Sequence, residues 1–232
     1  ARDVLRSNTT VIAALLVRKG AADAMLCGLV GEYHEHLRHV RDLLGTRVGA
    51  RDMAAMNVLV LRKGTLFLCD TYVHPDPSAE QIAESTLLAA DQVRRFGLTP
   101  KVALLSHSNF GTRDTASALR MREALALIHA RAPELEVDGE MQADAALIPN
   151  IRNKALADSS LEGQANLLIM PSMDAANIAL NLLTVMGEGV SVGPILLGCR
   201  YAAHILTPAA TVRRVQNRSA RAVVDAQLLS ST

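Results

Sequence analysis

The chain has 232 residues, half of them hydrophobic yet only 3% aromatic and with no Trp; this allows a substantial core and requires it to be aliphatic, as in sheets buried on both faces. A formal charge of +1 argues against general nucleic-acid binding, which needs a concentrated basic surface, and the few aromatics offer no base-stacking platform. Cys27, Cys69 and Cys199 lie far apart without CxxC spacing. That fits a reduced, cytoplasmic protein rather than a disulfide scaffold or zinc site, and no apolar run approaches the ~20 residues of a membrane span.

In chain order, Asp3 to Lys19 carry helix-type apolar spacing that Gly20 stops. Because the pattern begins almost at Ala1, an N-terminal portion is expected to be missing or removed. "ADAMLCG" reads as a short strand and Glu32 to Leu44 as a polar-faced helix. "NVLVLRKGTLFLCD" is two β-rich runs around Lys63-Gly64, a hairpin or sharp turn. Ser78 and Gln81, in capping-box spacing, open a helix that ends on Gly97. "KVALLS" predicts a strand, Thr115 to Arg131 a helix, "LEVDG" and "ANLLIMP" further strands, and Ala175 to Met186 a helix. "GPILLG" and "AHILTP" read as buried strands before a last helix starting near Thr211. Near-continuous apolar strands alternating with helices predict a three-layer α/β fold with a largely parallel sheet.

In open α/β sheets, ligands gather beyond the carboxyl ends of strands. "SHSNFGTRD" sits at such an end: Ser106, Ser108, Asn109 and Thr112 supply donors and Gly111 permits close backbone approach, an arrangement for holding an anion at helix amides. The same residues suit an ordinary turn with Asp114 or Thr115 capping the helix, and residue types alone leave the two readings level. The loop lacks the Lys and spacing of a Walker motif, and no GxGxxG occurs. "EVDGEMQAD" sets Asp138, Glu140 and Asp144 just past another strand. Clustered carboxylates can hold Mg²⁺ or act as acid and base, but an Asp-Gly turn and a cap at Asp144 form the plainer reading. "HEHLRH" places His36 and His39 at i,i+3; without a third ligand, a solvated helix face fits better than a metal pair. Arg38 lies in the same stretch and is placed to reach a phosphate. Arg214, Arg218 and Arg221 make a basic stripe on the last helix, opposite Val215, Ala222 and Ala226. Its usual meaning is a solvated face, and an anionic ligand near the strand end is the rival.

Together, "NTTVIAALLVRKGAADAM", "HLRHVRDLLGTRVGARDMAAMN", "FLCDTYVHPDPSAEQIAE", "VALLSHSNFGT", "LEVDGEMQADAAL", "NLLIMPSMDAANIALNLL" and "VGPILLGCRYAAHILTPAATVRRVQN" resemble phosphotransacetylases (phosphate acetyltransferases). They resemble more closely the phosphotransacetylase-like region of large bacterial malic enzymes. The resemblance implies an αβα fold similar to isocitrate dehydrogenase, with two subdomains around a cleft. Residues 1–50 with 197–232 would be the remnant of subdomain I, its N-terminal part missing, and residues 57–193 subdomain II.

The family moves acetyl between acetyl phosphate and CoA, using a Ser-Arg pair after a strand and an Asp shortly beyond. In the matching "HILTPAATVRR", Thr207 stands for the Ser, Pro208 replaces the Arg, and Arg213 and Arg214 occupy the neighbourhood of the Asp. No Asp or Glu occurs from Val190 to Val224, so no catalytic residue is assigned. The resemblance thus implies a catalytically silent, acetyl-CoA-binding regulatory and oligomerisation domain. Arg38, Ser106, Ser108, Asn109, Gly111, Thr112, Asp138, Thr207 and Arg214 would line its acetyl-CoA/phosphate cleft. The alternative is a working acetyltransferase drawing its base from Asp138 or Glu140. The implied effector is acetyl-CoA or a related acyl-CoA, with no cofactor or metal in this region. NADP and Mg²⁺ or Mn²⁺ would belong to a catalytic region outside this chain, which converts malate oxidatively to pyruvate. Self-association into a homodimer or larger homo-oligomer, through the final helix and its neighbours, is also implied.

Overall fold

In the strand Gly64–Cys69, Leu66 and Leu68 join one apolar cluster, while Phe67 meets the ring of Phe96 and the Cys69 thiol points at the carbonyl of Ser85. Both faces are therefore covered, as the unbroken apolar run requires. A computed structural model describes residues 7–230. Its elements in chain order are α1 (Thr9–Arg18), β1 (Ala24–Cys27), α2 (Tyr33–Leu44), β2 (Ala54–Leu61), β3 (Gly64–Cys69), α3 (Ala79–Arg95), β4 (Val102–Leu105), α4 (Ala116–Arg131), β5 (Val137–Met141), α5 (Ala143–Leu147), α6 (Pro149–Ala155), β6 (Leu167–Ile169), α7 (Met173–Met186), β7 (Val190–Leu197), β8 (Ala202–Ile205) and α8 (Val212–Ser230). The chain divides into two units: Ala54–Val192, and the residues before Ala54 joined with those after Val192.

In the central unit the sheet order is β5-β4-β6-β3-β2-β7. Strands β5, β4, β6 and β3 run parallel, and β2 pairs antiparallel with β3 around the Arg62-Lys63 turn. Ala145 and Ala146 of α5 and Ala176 and Leu180 of α7 pack on one face, against Leu59, Leu68, Leu105 and Met141. Helix α3 lies on the other face, and the Ser78–Gln81 capping box foreseen in the sequence starts it. Thr115 caps α4. This is the three-layer α/β arrangement the alternation predicts.

In the other unit, β1 and β8 pair in parallel from Ala24–Ala202 to Cys27–Ile205. Gly28 has φ +97°, and a Cβ there would sit 2.3 Å from the Leu206 carbonyl, so only glycine lets the chain leave β1 beside β8. Tyr33, Leu37, Val40 and Leu44 form the buried stripe of α2, at the spacing of one helix face. The part of the predicted first helix before Ser7 lies outside the described residues. Among those residues, no helix is long and apolar enough to cross a membrane.

Two expectations change. Asp138-Gly139 is not a turn but lies inside β5, which runs on to Met141. The segment after β5 holds two helices, α5 and α6, that are too short, at 5 and 7 residues, for apolar periodicity to reveal them. Arg152 of α6 is 1% exposed, and its guanidinium donates to the carbonyls of Ala145 (3.2 Å), Leu161 (2.7 Å) and Gly163 (2.7 Å). It closes α5, α6 and the loop before β6 into one body. Arg152→Met keeps the stem and removes the donors, leaving three carbonyls short of a partner. It is expected to lower unfolding free energy by about 2–4 kcal/mol in urea titration.

Candidate functional site

Parallel strands β3, β6, β4 and β5 end on the same side of the sheet, so the loops that follow them share one rim. The loop after β4 holds five of the nine candidate residues (Ser106, Ser108, Asn109, Gly111 and Thr112), and its centre is a carboxylate of the chain itself. Glu140, 0% exposed, accepts the Ser108 hydroxyl at 2.8 Å and the Gly111 amide at 2.9 Å on Oε1. Its Oε2 lies 3.5 Å from Nε of Arg122, and Arg122 also holds the Arg113 carbonyl and Asp114. Gly139 makes this placement possible. It has φ +147°, and a Cβ would come within 2.7 Å of the Leu104 carbonyl, so a side chain there would push β5 off β4.

The remaining loop donors are also engaged. Ser108 Oγ accepts the Arg113 amide at 3.0 Å, and Thr112 Oγ1 accepts the Asn109 amide at 3.1 Å. The Asn109 side chain donates to Gln142 Oε1 at 3.1 Å and accepts the Gln142 amide at 2.7 Å. Ser106 and the exposed His107 form the outer lip, with Ser106 Oγ 3.5 Å from His107 Nδ1 and His107 Nε2 3.4 Å from Thr115 Oγ1. The loop is thus wrapped around an internal anion and also ends in a helix cap at Thr115, so the two sequence readings of it coexist.

Asp138 fastens a different segment. Its Oδ2 accepts the Ser159 hydroxyl at 2.7 Å and the Ser160 amide at 2.9 Å, and Oδ1 accepts the Gly139 amide. Asp144 is exposed and accepts the Ala145 amide at 2.8 Å. On the same rim, Asp70 and His74 form a buried pair that sequence reasoning missed. Asp70 accepts the amides of Ala55, Tyr72, Val73 and His74 and lies 2.7 Å from His74 Nδ1. The signal for it is "CDTYVHP", where an acid closes an otherwise apolar strand and a histidine follows four residues on.

Arg38, Thr207 and Arg214 belong to the other unit. Arg38 is on the exposed side of α2, Thr207 follows β8 half-buried, and Arg214 lies in the first turn of α8 above the Thr211 cap. The carboxyl ends of β1 and β8 open on a hollow of about 280 Å³ lined by Thr9, Cys27, Gly28, His36, Leu206 and Val215. That volume admits a phosphate-sized group but lies below the ~300–1,000 Å³ of whole-ligand pockets. Burial pushes the Cys27 thiol up to about 11, so this sulfur is no nucleophile at neutral pH.

Two helix-face readings are corrected. His36 is clamped between Thr10 Oγ1 (2.7 Å) and the Val30 carbonyl (2.9 Å), and His39 meets Asn8 at 3.2 Å; the pair ties α1 to α2 instead of facing solvent. Among the described residues, no group of three His, Cys, Asp or Glu side chains could hold a metal ion. The arginine stripe of α8 is not a solvated face either. Arg218 is buried, and neither of its terminal nitrogens makes a hydrogen bond among the described residues. Burial pulls its pKa down to about 10, helped by Arg221 and Arg214 and opposed by Tyr33 and Asp225. Arg221 grips Asp225 at 2.8 Å. Asp225 Oδ2 in turn lies 3.4 Å from Nε2 of the buried His204, a polar residue inside the apolar run of β8. Burial, then the Arg218 charge, lowers the His204 pKa to about 4 despite Asp225, so this contact is not an ion pair at neutral pH.

Known proteins resemble the chain in sequence and in fold. The family described as Phosphate acetyl/butaryl transferase matches residues 1–223. The NADP-dependent malic enzyme of Escherichia coli (strain K12) is 55% identical over 228 residues, 98% of this chain but 30% of that protein's length. The phosphate acetyltransferase of Corynebacterium glutamicum is 31% identical over 97% of this chain and 68% of its own length. The EutD phosphotransacetylase structure from Staphylococcus aureus superposes with a TM-score of 0.85 at 26% identity, covering 96% of this chain and 68% of that one.

Two outcomes follow from the geometry. Glu140→Ala leaves Ser108, Gly111 and Arg122 facing a void. It is expected to cost about 3–5 kcal/mol and to speed amide exchange across residues 106–113, read by hydrogen-exchange mass spectrometry. For His204, the folded pKa of about 4 lies below the usual 6.5. The unfolded chain therefore binds the proton first as pH falls; the stabilisation is complete above pH 6.5 and is lost between 6.5 and 4, on the order of 3 kcal/mol at most. His204→Gln is expected to flatten that part of a stability-versus-pH curve.

Proposed function

The chain belongs to the Phosphate acetyl/butaryl transferase family, and from that premise we propose that it is a regulatory domain of a malic enzyme that binds acetyl-CoA without transferring its acetyl group. The greater likeness to the Escherichia coli malic enzyme, 55% identity, than to the Corynebacterium glutamicum phosphate acetyltransferase, 31%, supports the first half. The second half rests on one observation, the lack of any free carboxylate where the family's acid should stand. Pro208 has no guanidinium and no backbone N–H, and no Asp or Glu occurs between Val190 and Val224. The first acid beyond, Asp225, is held by Arg221.

The magnitudes are large. A free thiol of pKa about 8.5 is a few per cent thiolate at pH 7. General-base help contributes roughly 10²–10⁴-fold, and loss of an electrostatic stabiliser removes about another 10²–10³. Arginine cannot substitute, since it never gives up its proton in working conditions. Asp138 and Glu140, the bases an active transferase would have to use, are buried and hydrogen-bonded within the fold. Binding makes different demands, and each unit keeps groups suited to a polyanion: Arg38 and Arg214 in one, Ser106 in the other. Bound acetyl-CoA would regulate by favouring one of two states of the longer protein, which requires unequal affinity for them.

Acetyl-CoA at ~100-fold its Kd is expected to stabilise the chain by about 2.7 kcal/mol, visible as a raised melting temperature. No shift at saturating concentrations removes the sensor. With acetyl phosphate and CoA, thiol loss is expected to stay far below ~1 s⁻¹, the low end for ordinary enzymes; turnover above that rate restores the transferase.

A further inference from the structure

Helix α8 carries Arg214, Arg218 and Arg221 on one stripe, and of the three Arg218 is the one fully inside. It sits between the half-buried Val215 and the buried Ala222, at the spacing of one helix face, and is 3% exposed. Arg152 is buried as deeply but spends its guanidinium on three carbonyls. Neither terminal nitrogen of Arg218 makes a hydrogen bond among the described residues. The same holds for both ring nitrogens of His204, which is 2% exposed on β8, the strand against which α8 packs. The His204 contact with Asp225 at 3.4 Å lies outside hydrogen-bond geometry. A neutral imidazole carries one N–H and a guanidinium five, so two enclosed side chains bring unspent donors to one place.

The charge there is unbalanced as well. The groups that act on Arg218 are Tyr33 of α2 and Arg221, Asp225 and Arg214 of α8, and the Arg218 charge in turn acts on His204. Asp225 is the one carboxylate among them, and Arg221 holds both its oxygens, at 2.8 and 3.0 Å. Tyr33 brings a phenol, which carries no charge at neutral pH, and His204, with a pKa of about 4, is neutral there too. Arg218, at about 10, is still protonated at pH 7. Arg218 and Arg221 thus share a single carboxylate that Arg221 already occupies. An enclosed, unpaired ion carries a desolvation cost that persists even when water reaches it, and a counter-ion offsets that cost.

We propose that Arg218 and His204 bind a small inorganic anion of the halide class between α8 and β8. A halide accepts from several N–H groups at once and asks for nothing beyond them. The further oxygens of a phosphate or sulfate would each need a donor of their own, and the enclosure of both side chains disfavours ions of that size. Arg221 and the half-buried Arg214 add positive potential that draws an anion inward. The proposal stands apart from acyl-CoA binding, since neither Arg218 nor His204 is among the residues assigned to that cleft.

The test is the melting temperature of the 232-residue chain at pH 7 as sodium chloride replaces sodium gluconate at constant ionic strength, from about 1 to about 300 mM. A bound halide is expected to raise it by about 3 °C for each tenfold rise in chloride above the Kd, with bromide acting alike. Arg218→Met replaces the buried charge by an apolar chain; it is expected to lose the slope and to melt no lower than wild type at the lowest chloride. Arg213→Met removes an exposed charge of the same helix and is expected to keep the slope, and Arg218→Lys, which retains a charge, to keep part of it. Sulfate stabilises by exclusion from protein surfaces and is expected to act equally on wild type and Arg218→Met. A wild-type melt indifferent to chloride overturns the site. So does a slope that survives Arg218→Met, or one that Arg213→Met abolishes equally, which marks screening of surface charge. Sulfate that favours wild type over Arg218→Met as strongly as chloride overturns the halide assignment. Acetyl-CoA is absent throughout, so failure of this site and failure of the sensor are told apart.

Discussion

A single buried carboxylate organises the rim of the central sheet. Glu140 is turned inward from β5, where Gly139 permits the close approach to β4, and it collects the Ser108 hydroxyl, the Gly111 amide and the flank of Arg122. An ionised carboxylate without these donors would carry a desolvation cost of several kcal/mol. The loop 106–115 in turn is held by Glu140, by bonds among its own hydroxyls and amides, and by the Asn109–Gln142 pair. Loop and acid therefore require each other.

Other acids repeat the pattern. Asp138 fastens the 159–160 segment, Asp70 gathers four amides and His74, and Asp225 is gripped by Arg221. Each has its hydrogen bonds within the fold. On the proposed reading, acids held in structural roles would separate recognition from turnover. A site with arginines and without free bases would hold a phosphorylated thioester more readily than cleave it.

Local patterns carried most of the fold. The near-continuous apolar runs located β2, β3, β4 and β6, whereas β5 carries two acids and runs two residues past its expected end, and the Ser78–Gln81 and Thr115 caps fixed two helix starts. Asp138-Gly139 misled because an Asp-Gly pair has the residue types of a turn, and only the packing of β5 against Leu104 reveals its role within a strand. The inward turn of Glu140 and the burial of Arg152 and Arg218 were illegible for a related reason. Burying a charge depends on partners such as the Leu161 and Gly163 carbonyls, which residue types alone do not link to Arg152. His36 and His39 were legible as a pair, but their partners Thr10 and Asn8 lie on and just before another helix.

The most direct measurement is to incubate the chain with acetyl-CoA in phosphate buffer, separate protein from free ligand, and identify what stays bound by mass spectrometry. Intact acetyl-CoA retained on the protein, with no acetyl phosphate formed, is the predicted result. Release of CoA together with an equal amount of acetyl phosphate would show a carboxylate at work that the fold gives no place to, and would contradict binding without transfer.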